Sequence, residues 1–378
     1  MNRISYAKQD INSEDIKVVN SVLKSRFLTT GPKIVEFEKK ILNFFGPKHA
    51  IAVSSATSAL HISCLSLGLK KNDYLWTTPI SFVASANCAL YCGAKVDFVD
   101  IDPNNFNISI KKLEEKLKST PKSKLPKIVI IVHLSGHPVD LKKVKKLSKI
   151  YKFKIIEDAS HAAGSTYNGS RIGNCKYSDV CVFSFHPVKI ITTGEGGAIL
   201  TNSKKIFNKA RVLRSHGIFM KKQKKFFCQN YDMKYLGFHY RMNEMQAALG
   251  ISQLLRINKF VRVRNKISDY YKKNIKSSRI KFQEIINNST SSMHLFIIRL
   301  PNFYRNRIYK ILKENFIDTN FHYIPIYRHS YYKKFKFKIN SFIESERYFK
   351  EAITLPLYFS LEKKIQMKIV KIINKVVR

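Results

Sequence analysis

Residues 184–200 read SFHPVKIITTGEGGAIL. Lys189 sits there between an aromatic run, VCVFSF, and a loop that carries three glycines. A lysine beside apolar walls and a cationic centre binds its proton less tightly, and only the neutral amine can attack a carbonyl carbon. Pro187 fixes a turn just before it. TTGEGG lets the backbone pass close to something bulky. The competing reading is a solvated lysine beside a flexible loop. The stretch IIEDASHAAG, 155–164, ends an apolar run with Glu157 and Asp158, and His161 follows three residues after Asp158. A carboxylate at the mouth of a buried strand needs a partner, which can be a metal, a cofactor's cation, or a neighbouring Arg or Lys. SSATSAL, 54–60, follows HAIAV and opens a helix. Small residues at a helix start present free N–H groups at the positive end of the dipole, which suits a phosphate. Thr57 and Ser58 add hydroxyls, and ordinary N-capping is the alternative.

Each feature alone has a plain structural explanation. Together they make a phosphate cradle, an acid for a ring nitrogen and an amine for an aldehyde. Those are the three points at which a protein holds pyridoxal 5'-phosphate.

The elements that must position these groups alternate along the first part of the chain. Short β-rich runs are HAIAV (49–53), YLWTT (74–78), KVDFVD (95–100), KIVIIVHL (127–134), FKIIED (153–158), VCVFSF (180–185) and GAILT (197–201). Helical stretches such as TSALHISCLSLGL, SFVASANCALYCG, ISIKKLEEKL and DLKKVKKLSKI lie between most of them. Nearly continuous apolar strands separated by amphipathic helices imply a mostly parallel sheet covered on both faces. Ligands in such sheets bind beyond the carboxyl ends of the strands, where all three chemical stretches fall. A long helix is expected from Asn243, which can cap it with Gln246 in a capping box, running on through LLRINKFVRVRNKI. Beyond about residue 260 the pattern turns basic and aromatic, with candidate strands HLFIIRL (294–300) and NFHYIPI (320–326), and a smaller α+β domain is expected. The division is drawn at residues 1–255 and 256–378.

A chain of 378 residues suggests two domains. Its 44% hydrophobic content excludes a disordered composition. Lys and Arg number 68 against 26 Asp and Glu, a net charge of +42. That excess admits a polyanion-binding protein without catalysis. The basic residues are dispersed, however, and the clusters KKQKK (221–225) and KKFKFK (333–338) are short, so a lysine-rich solvated surface is favoured over a specific nucleic-acid site. The six cysteines form no CxxC pair, which points to reduced, mostly buried thiols and no metal. The first residues lack a signal peptide's apolar core, and no apolar run approaches a membrane span, so a cytoplasmic protein is expected.

The set SSATSAL, TTPISFVASAN, IIEDASHAAG, SFHPVKIITTGEGG and LGFHYRMNEMQAALG, with TLPLY at 354–358, resembles in order and spacing the DegT/DnrJ-type family of nucleotide-sugar aminotransferases. The resemblance implies an α/β, aspartate-aminotransferase-like fold (fold type I pyridoxal phosphate enzymes), with a mostly parallel seven-stranded sheet and a smaller C-terminal α+β domain. It implies that Lys189 carries the Schiff base, Asp158 pairs with the pyridine nitrogen, and His161 lies near the phenolic oxygen. By the same likeness Phe82 stacks on the ring, and Thr57, Ser58 and Ser184 hold the phosphate. The family usually has Asn-Tyr-Arg where this chain has His239-Tyr240-Arg241. That Asn reaches the phosphate in the neighbouring subunit, which implies a homodimer with shared active sites. Arg214, His216 and His322 are candidates for the nucleotide diphosphate. The wordings HPVK, TTGEGG and LRSHG resemble the branch that makes a 4-amino sugar for pseudaminic acid from a UDP-linked 4-keto-6-deoxy sugar, with glutamate as donor. A GDP-perosamine-type enzyme is the alternative. Some relatives are dehydratases with histidine in place of the lysine, and Lys189 argues against that reading.

Overall fold

The computed structural model describes residues 3–220 and 231–377. The KKQKK cluster and Cys228 lie outside the described residues. Seven strands form the main sheet: β1 (His49–Val53), β2 (Tyr74–Thr77), β3 (Lys95–Phe98), β4 (Ile128–Val132), β5 (Lys154–Asp158), β6 (Val180–Ser184) and β7 (Gly197–Thr201). Their order across the sheet is β1-β7-β6-β5-β4-β2-β3. Only β7 runs against its neighbours; it pairs antiparallel with both β1 and β6, while the other pairings are parallel. The strands are buried along almost their whole length. That matches a sheet with helices on both faces, where no solvent side exists to demand polar alternation.

The helices divide between two apolar layers. Pro32–Phe45 (α1) and Leu141–Tyr151 (α2) contribute Phe37, Ile41, Phe45, Val144 and Leu147 to one layer. Ala56–Ser66 (α3), Ala84–Tyr91 (α4) and Lys204–Leu213 (α5) contribute Leu60, Ile62, Ala89, Ala210 and Leu213 to the other. Phe98 of that second layer packs edge-on against Phe337 at 5.0 Å. Phe337 of KKFKFK is thus a packing residue, whereas Phe335 stays exposed.

Asn243 does cap a helix, Glu244–Leu255 (α6), with a complete capping box to Gln246. The expected single long helix is two, for a break at Arg256 separates α6 from Ile257–Asn274 (α7). The Arg256 guanidinium is held there by Asp10, at 2.6 Å, and by Asp15.

The C-terminal part builds a three-stranded antiparallel sheet from β8 (Lys281–Phe282), β9 (Phe296–Arg299) and β10 (Ala352–Leu355), in the order β8-β9-β10. The helices Asn302–Glu314 and Lys363–Val377 cover it and share its core with Ile267 and Tyr271 of α7. The N-terminal segment joins this part, since Ile4 bridges Ile317 and the Leu357 N–H donates to the Tyr6 carbonyl. NFHYIPI is not a strand. The position beside β9 is filled by β10, so residues 320–326 make one bridge, Asn320 to Thr354, and then cross to the main sheet, where the Ile326 N–H donates to the Pro79 carbonyl. No helix among the described residues is long and apolar enough to cross a membrane.

Candidate active site

A cavity of about 820 Å³ opens at the carboxyl ends of the sheet strands. Its walls bring together Thr57, Phe82, Asp158, His161, Ser184, Lys189 and His322, which are far apart in the sequence.

The phosphate turn is the start of α3. Ser55 is its N-cap: the Ser55 hydroxyl oxygen accepts from the Ser58 N–H at 3.1 Å, and the Ser55 N–H donates to Ser58 Oγ at 3.0 Å. The Ser58 hydroxyl donates to the Ser55 carbonyl at 2.7 Å. Both polar groups that Ser58 could offer an anion are therefore committed to the cap, and Ser58 is absent from the cavity wall. Ser55, which the sequence reading passed over, lines the cavity in its place beside Thr57. Ser184 closes β6 at the same edge.

Two of the glycines after Lys189 are needed for close approach within the protein itself, while Gly194 holds a left-handed backbone with φ +77°. A Cβ on Gly197 would lie 2.6 Å from the Ser55 carbonyl carbon and 2.7 Å from the Ala56 nitrogen. On Gly196 it would meet Thr193 Oγ1 at 2.1 Å. The chain at these two positions passes close to its own backbone and side chains, and so packs β7 against the phosphate turn.

Strand alternation separates the two acids. Glu157 turns into the helix-covered layer, where the Ser178 hydroxyl and His133 Nε2–H, at 3.0 Å, donate to it. The His133 tautomer follows from its other nitrogen, which accepts from the Val139 N–H at 3.1 Å. Asp158 turns into the cavity. Its Oδ2 accepts from Ser85 Oγ at 2.6 Å, and its Oδ1 accepts from Ser160 Oγ at 2.6 Å and from the Ser160 N–H at 3.2 Å. No Lys, Arg or His among the described residues forms an ion pair with this buried carboxylate.

Lys189 is its counterpart. Burial pushes its ammonium down to about 8 from the usual lysine value, with the Asp158 charge opposing the shift. Its side chain has no hydrogen-bond or ion-pair partner among the described residues. A buried carboxylate without a cation and a buried amine without an anion, in one cavity over a helix N-terminus, leave room for a ligand with a ring cation, a carbonyl and a phosphate. The residues present thus fit pyridoxal phosphate on all three counts.

His161 lies deep in the wall. Its Nδ1 accepts from the Ser135 N–H at 3.2 Å, so Nε2 carries the proton and donates to Tyr323 Oη at 3.1 Å. Both nitrogens are spent within the protein. The polar hydrogen that reaches the cavity from this pair is the phenol proton of Tyr323, whose acidity burial and the Asp158 charge suppress. His161, His294 and His322 are all held neutral, each by burial first and then by repulsion from nearby cationic or imidazole groups including Lys189. His322, pushed down to about 3, is fixed by Thr354 Oγ1 at 2.9 Å from Nδ1. The His294 ring lies 4.4 Å from that of His161. Phe82 is 59% exposed at the cavity mouth, its ring 6.3 Å from that of Tyr323, and free to cover a flat ligand.

The remaining candidates sit elsewhere. Arg214 does not line the cavity. Its guanidinium donates at 2.9 Å to both Glu38 and the Ala52 carbonyl, an internal ion pair in place of the expected diphosphate contact. His216 and His239 stack on each other, ring centres 5.3 Å apart, away from this cavity. Tyr323, His294, Tyr6, Ser85 and Ser160 were missed, although Tyr323 adjoins His322 and Ser85 and Ser160 lie within TTPISFVASAN and IIEDASHAAG. Among the described residues, no group of three or more His, Cys, Asp or Glu side chains is arranged to hold a metal.

A family model described as the DegT/DnrJ/EryC1/StrS aminotransferase family matches residues 9–374. A UDP-4-amino-4,6-dideoxy-N-acetyl-beta-L-altrosamine transaminase from Campylobacter jejuni is 38% identical over 362 residues, covering 94% of this chain and 92% of its own. A GDP-perosamine synthase from Caulobacter vibrioides is 35% identical over 274 residues, 72% of this chain and 70% of its own. The solved structure of Helicobacter pylori PseC, an aminotransferase of pseudaminic acid biosynthesis, superposes with a TM-score of 0.89 at 31% identity, covering 100% of this chain and 99% of that one.

Proposed function

This chain belongs to the DegT/DnrJ/EryC1/StrS aminotransferase family of pyridoxal phosphate enzymes, and on that premise we propose that it converts a UDP-linked 4-keto-6-deoxy sugar to the 4-amino sugar, with glutamate as donor, on the way to a pseudaminic acid. The observation that carries this reading is the unpaired Lys189 amine facing the unpaired Asp158 carboxylate over the start of α3. The substrate assignment draws on the C. jejuni and H. pylori relatives. The cofactor, when bound, supplies an aldehyde that takes up the amino group and a ring that accepts an electron pair.

The protein's own residues do the rest. Thr57, Ser55 and the first N–H groups of α3 would hold the phosphate. Asp158 would meet the ring nitrogen and favour its protonated form. Lys189, half neutral near pH 8, has the basicity to take a proton from the donor's α-carbon and return it elsewhere, an assistance typically worth ~10²–10⁴-fold. Neutral His322 and the Tyr323 phenol provide hydrogen bonds without adding charge beside Lys189. Phe82 excludes water from the mouth. His239 and His216, stacked outside this cavity, are proposed to reach the phosphate and diphosphate in a neighbouring copy, which makes a homodimer the working form. A cytoplasmic site follows from the nucleotide sugar it needs.

Incubation with glutamate and UDP-, GDP- and dTDP-linked 4-keto-6-deoxy sugars, followed by identification of the amino sugar, tests the assignment. Turnover confined to the UDP substrate is expected. Equal turnover of all three contradicts the UDP reading, and turnover of GDP alone selects the perosamine-type alternative.

A further inference from the structure

The Asp158 carboxylate is held by hydroxyl groups from two separate elements. Ser85 belongs to the first turn of α4 and is fully buried. Ser160 belongs to the turn that follows β5. Each sits 2.6 Å from a different oxygen of Asp158, and the Ser160 N–H adds a third bond at 3.2 Å. Asp158 itself is 6% exposed.

The directions of these bonds can be assigned. A carboxylate only accepts, so the single hydroxyl proton of Ser85 goes to Asp158 Oδ2. The 2.8 Å contact between Ser85 and Ser81 must then be a donation from Ser81 to Ser85. Ser81 lies in the loop that leads into α4, so this contact ties that loop to the helix's first turn. The result is a directed chain, Ser81 to Ser85 to Asp158, on one carboxylate oxygen and a separate donor pair on the other.

A buried carboxylate with no cation would ordinarily turn toward whatever donor it could find. Here its rotation is fixed from both sides, while one flank still faces the cavity. We propose that Ser85 and Ser160 are positioning residues that hold Asp158 in the orientation required to meet the cofactor's ring nitrogen. Neither serine touches the ring; both act through Asp158. The inference rests on the reading of Asp158 as the ring nitrogen's partner.

The test compares two ligands on cofactor-free full-length protein. One is pyridoxal phosphate; the other is its analogue in which C–H replaces the ring nitrogen. Binding is measured by equilibrium titration for wild type, Ser85→Ala and Ser160→Ala. Loss of one hydrogen bond to a charged group is expected to weaken pyridoxal phosphate by about tenfold in each variant, and to leave the analogue within about twofold. Circular dichroism and melting temperature separate misfolding of the buried Ser85→Ala from a local effect, and the more exposed Ser160→Ala provides the independent arm. Equal weakening of both ligands would mean that the serines support the fold alone and would overturn the proposal, as would no weakening of either. Wild type that binds both ligands equally well instead overturns the assignment of Asp158, and wild type that binds neither overturns the functional reading itself.

Discussion

Lys189 and Asp158 line one cavity without pairing: the carboxylate is satisfied by Ser85 and Ser160, and the amine by nothing among the described residues. The Asp158 field opposes the loss of the lysine's proton, yet burial outweighs it and holds the amine near 8. A native fold that keeps two opposite charges apart forgoes their attraction, which makes sense when a ligand is to stand between them.

This arrangement fixes a pH dependence. The folded-state value of Lys189 is depressed to about 8, whereas an unfolded lysine titrates at its ordinary 10.5. Between those values the unfolded chain binds more protons, so this group's contribution to stability rises with pH across that window, and its full penalty is present below about 8. Lys189→Met should therefore raise the melting temperature of the cofactor-free protein at pH 7, by about 2 °C or more, with the gain shrinking above pH 8. For the unmodified protein, the rate of pyridoxal phosphate uptake should climb with pH through a midpoint near 8. Stopped-flow absorbance measures it, and a flat profile would contradict a buried, proton-poor amine.

Tyr323→Phe removes the acceptor for His161 Nε2–H. A buried donor left without its partner costs about 1–3 kcal/mol, so chemical denaturation should report a loss of that size. The variant also removes the phenol proton from the cavity, and kcat/KM should fall by about tenfold. An unchanged denaturation midpoint would mean that His161 uses the other tautomer.

Arg214→Ala tests the correction to the expected diphosphate contact. It leaves Glu38, whose carboxyl burial already pushes up against the pull of Arg214, without its main cation. Stability should fall by about 1–3 kcal/mol, while the KM for the nucleotide sugar stays within about twofold. A large rise in KM at unchanged stability would restore Arg214 to the substrate.

Gly197→Ala should weaken the phosphate site indirectly. The added methyl falls 2.6 Å from the Ser55 carbonyl carbon and 2.7 Å from the Ala56 nitrogen, so the first turn of α3 must move. Overpacking of this kind costs about 1–3 kcal/mol, and cofactor affinity should drop with it. Retained affinity in a correctly folded variant would show that the turn is more adaptable than its capping box suggests.

Much of this was legible in the chain. HAIAV and GAILT were bounded correctly because apolar runs flanked by polar or glycine-rich turns leave little choice of strand ends. Asp158 and Lys189 could be singled out because each ends or closely follows such a strand, where an open parallel sheet binds its ligand, and both line the cavity. What stayed hidden depends on distant partners. At the helix break, Arg256 is held by Asp10 and Asp15, more than 240 positions away. The alternation in NFHYIPI imitates a strand, but AITL takes the place beside β9. Ser58 and Thr57 look equivalent as hydroxyls near a helix start, and only the capping geometry separates them. The contributions of Ser85, Tyr323 and His294 require knowledge of which loops converge on one edge.

The most direct measurement is the visible spectrum and turnover of Lys189→Ala purified beside the unmodified protein. The unmodified protein should be yellow from bound cofactor. The variant should fold normally by circular dichroism, lose that visible band, and fall in turnover by at least ~10²-fold. A variant that keeps the band and full turnover would show that another amine does the chemistry, and would contradict the account at its centre.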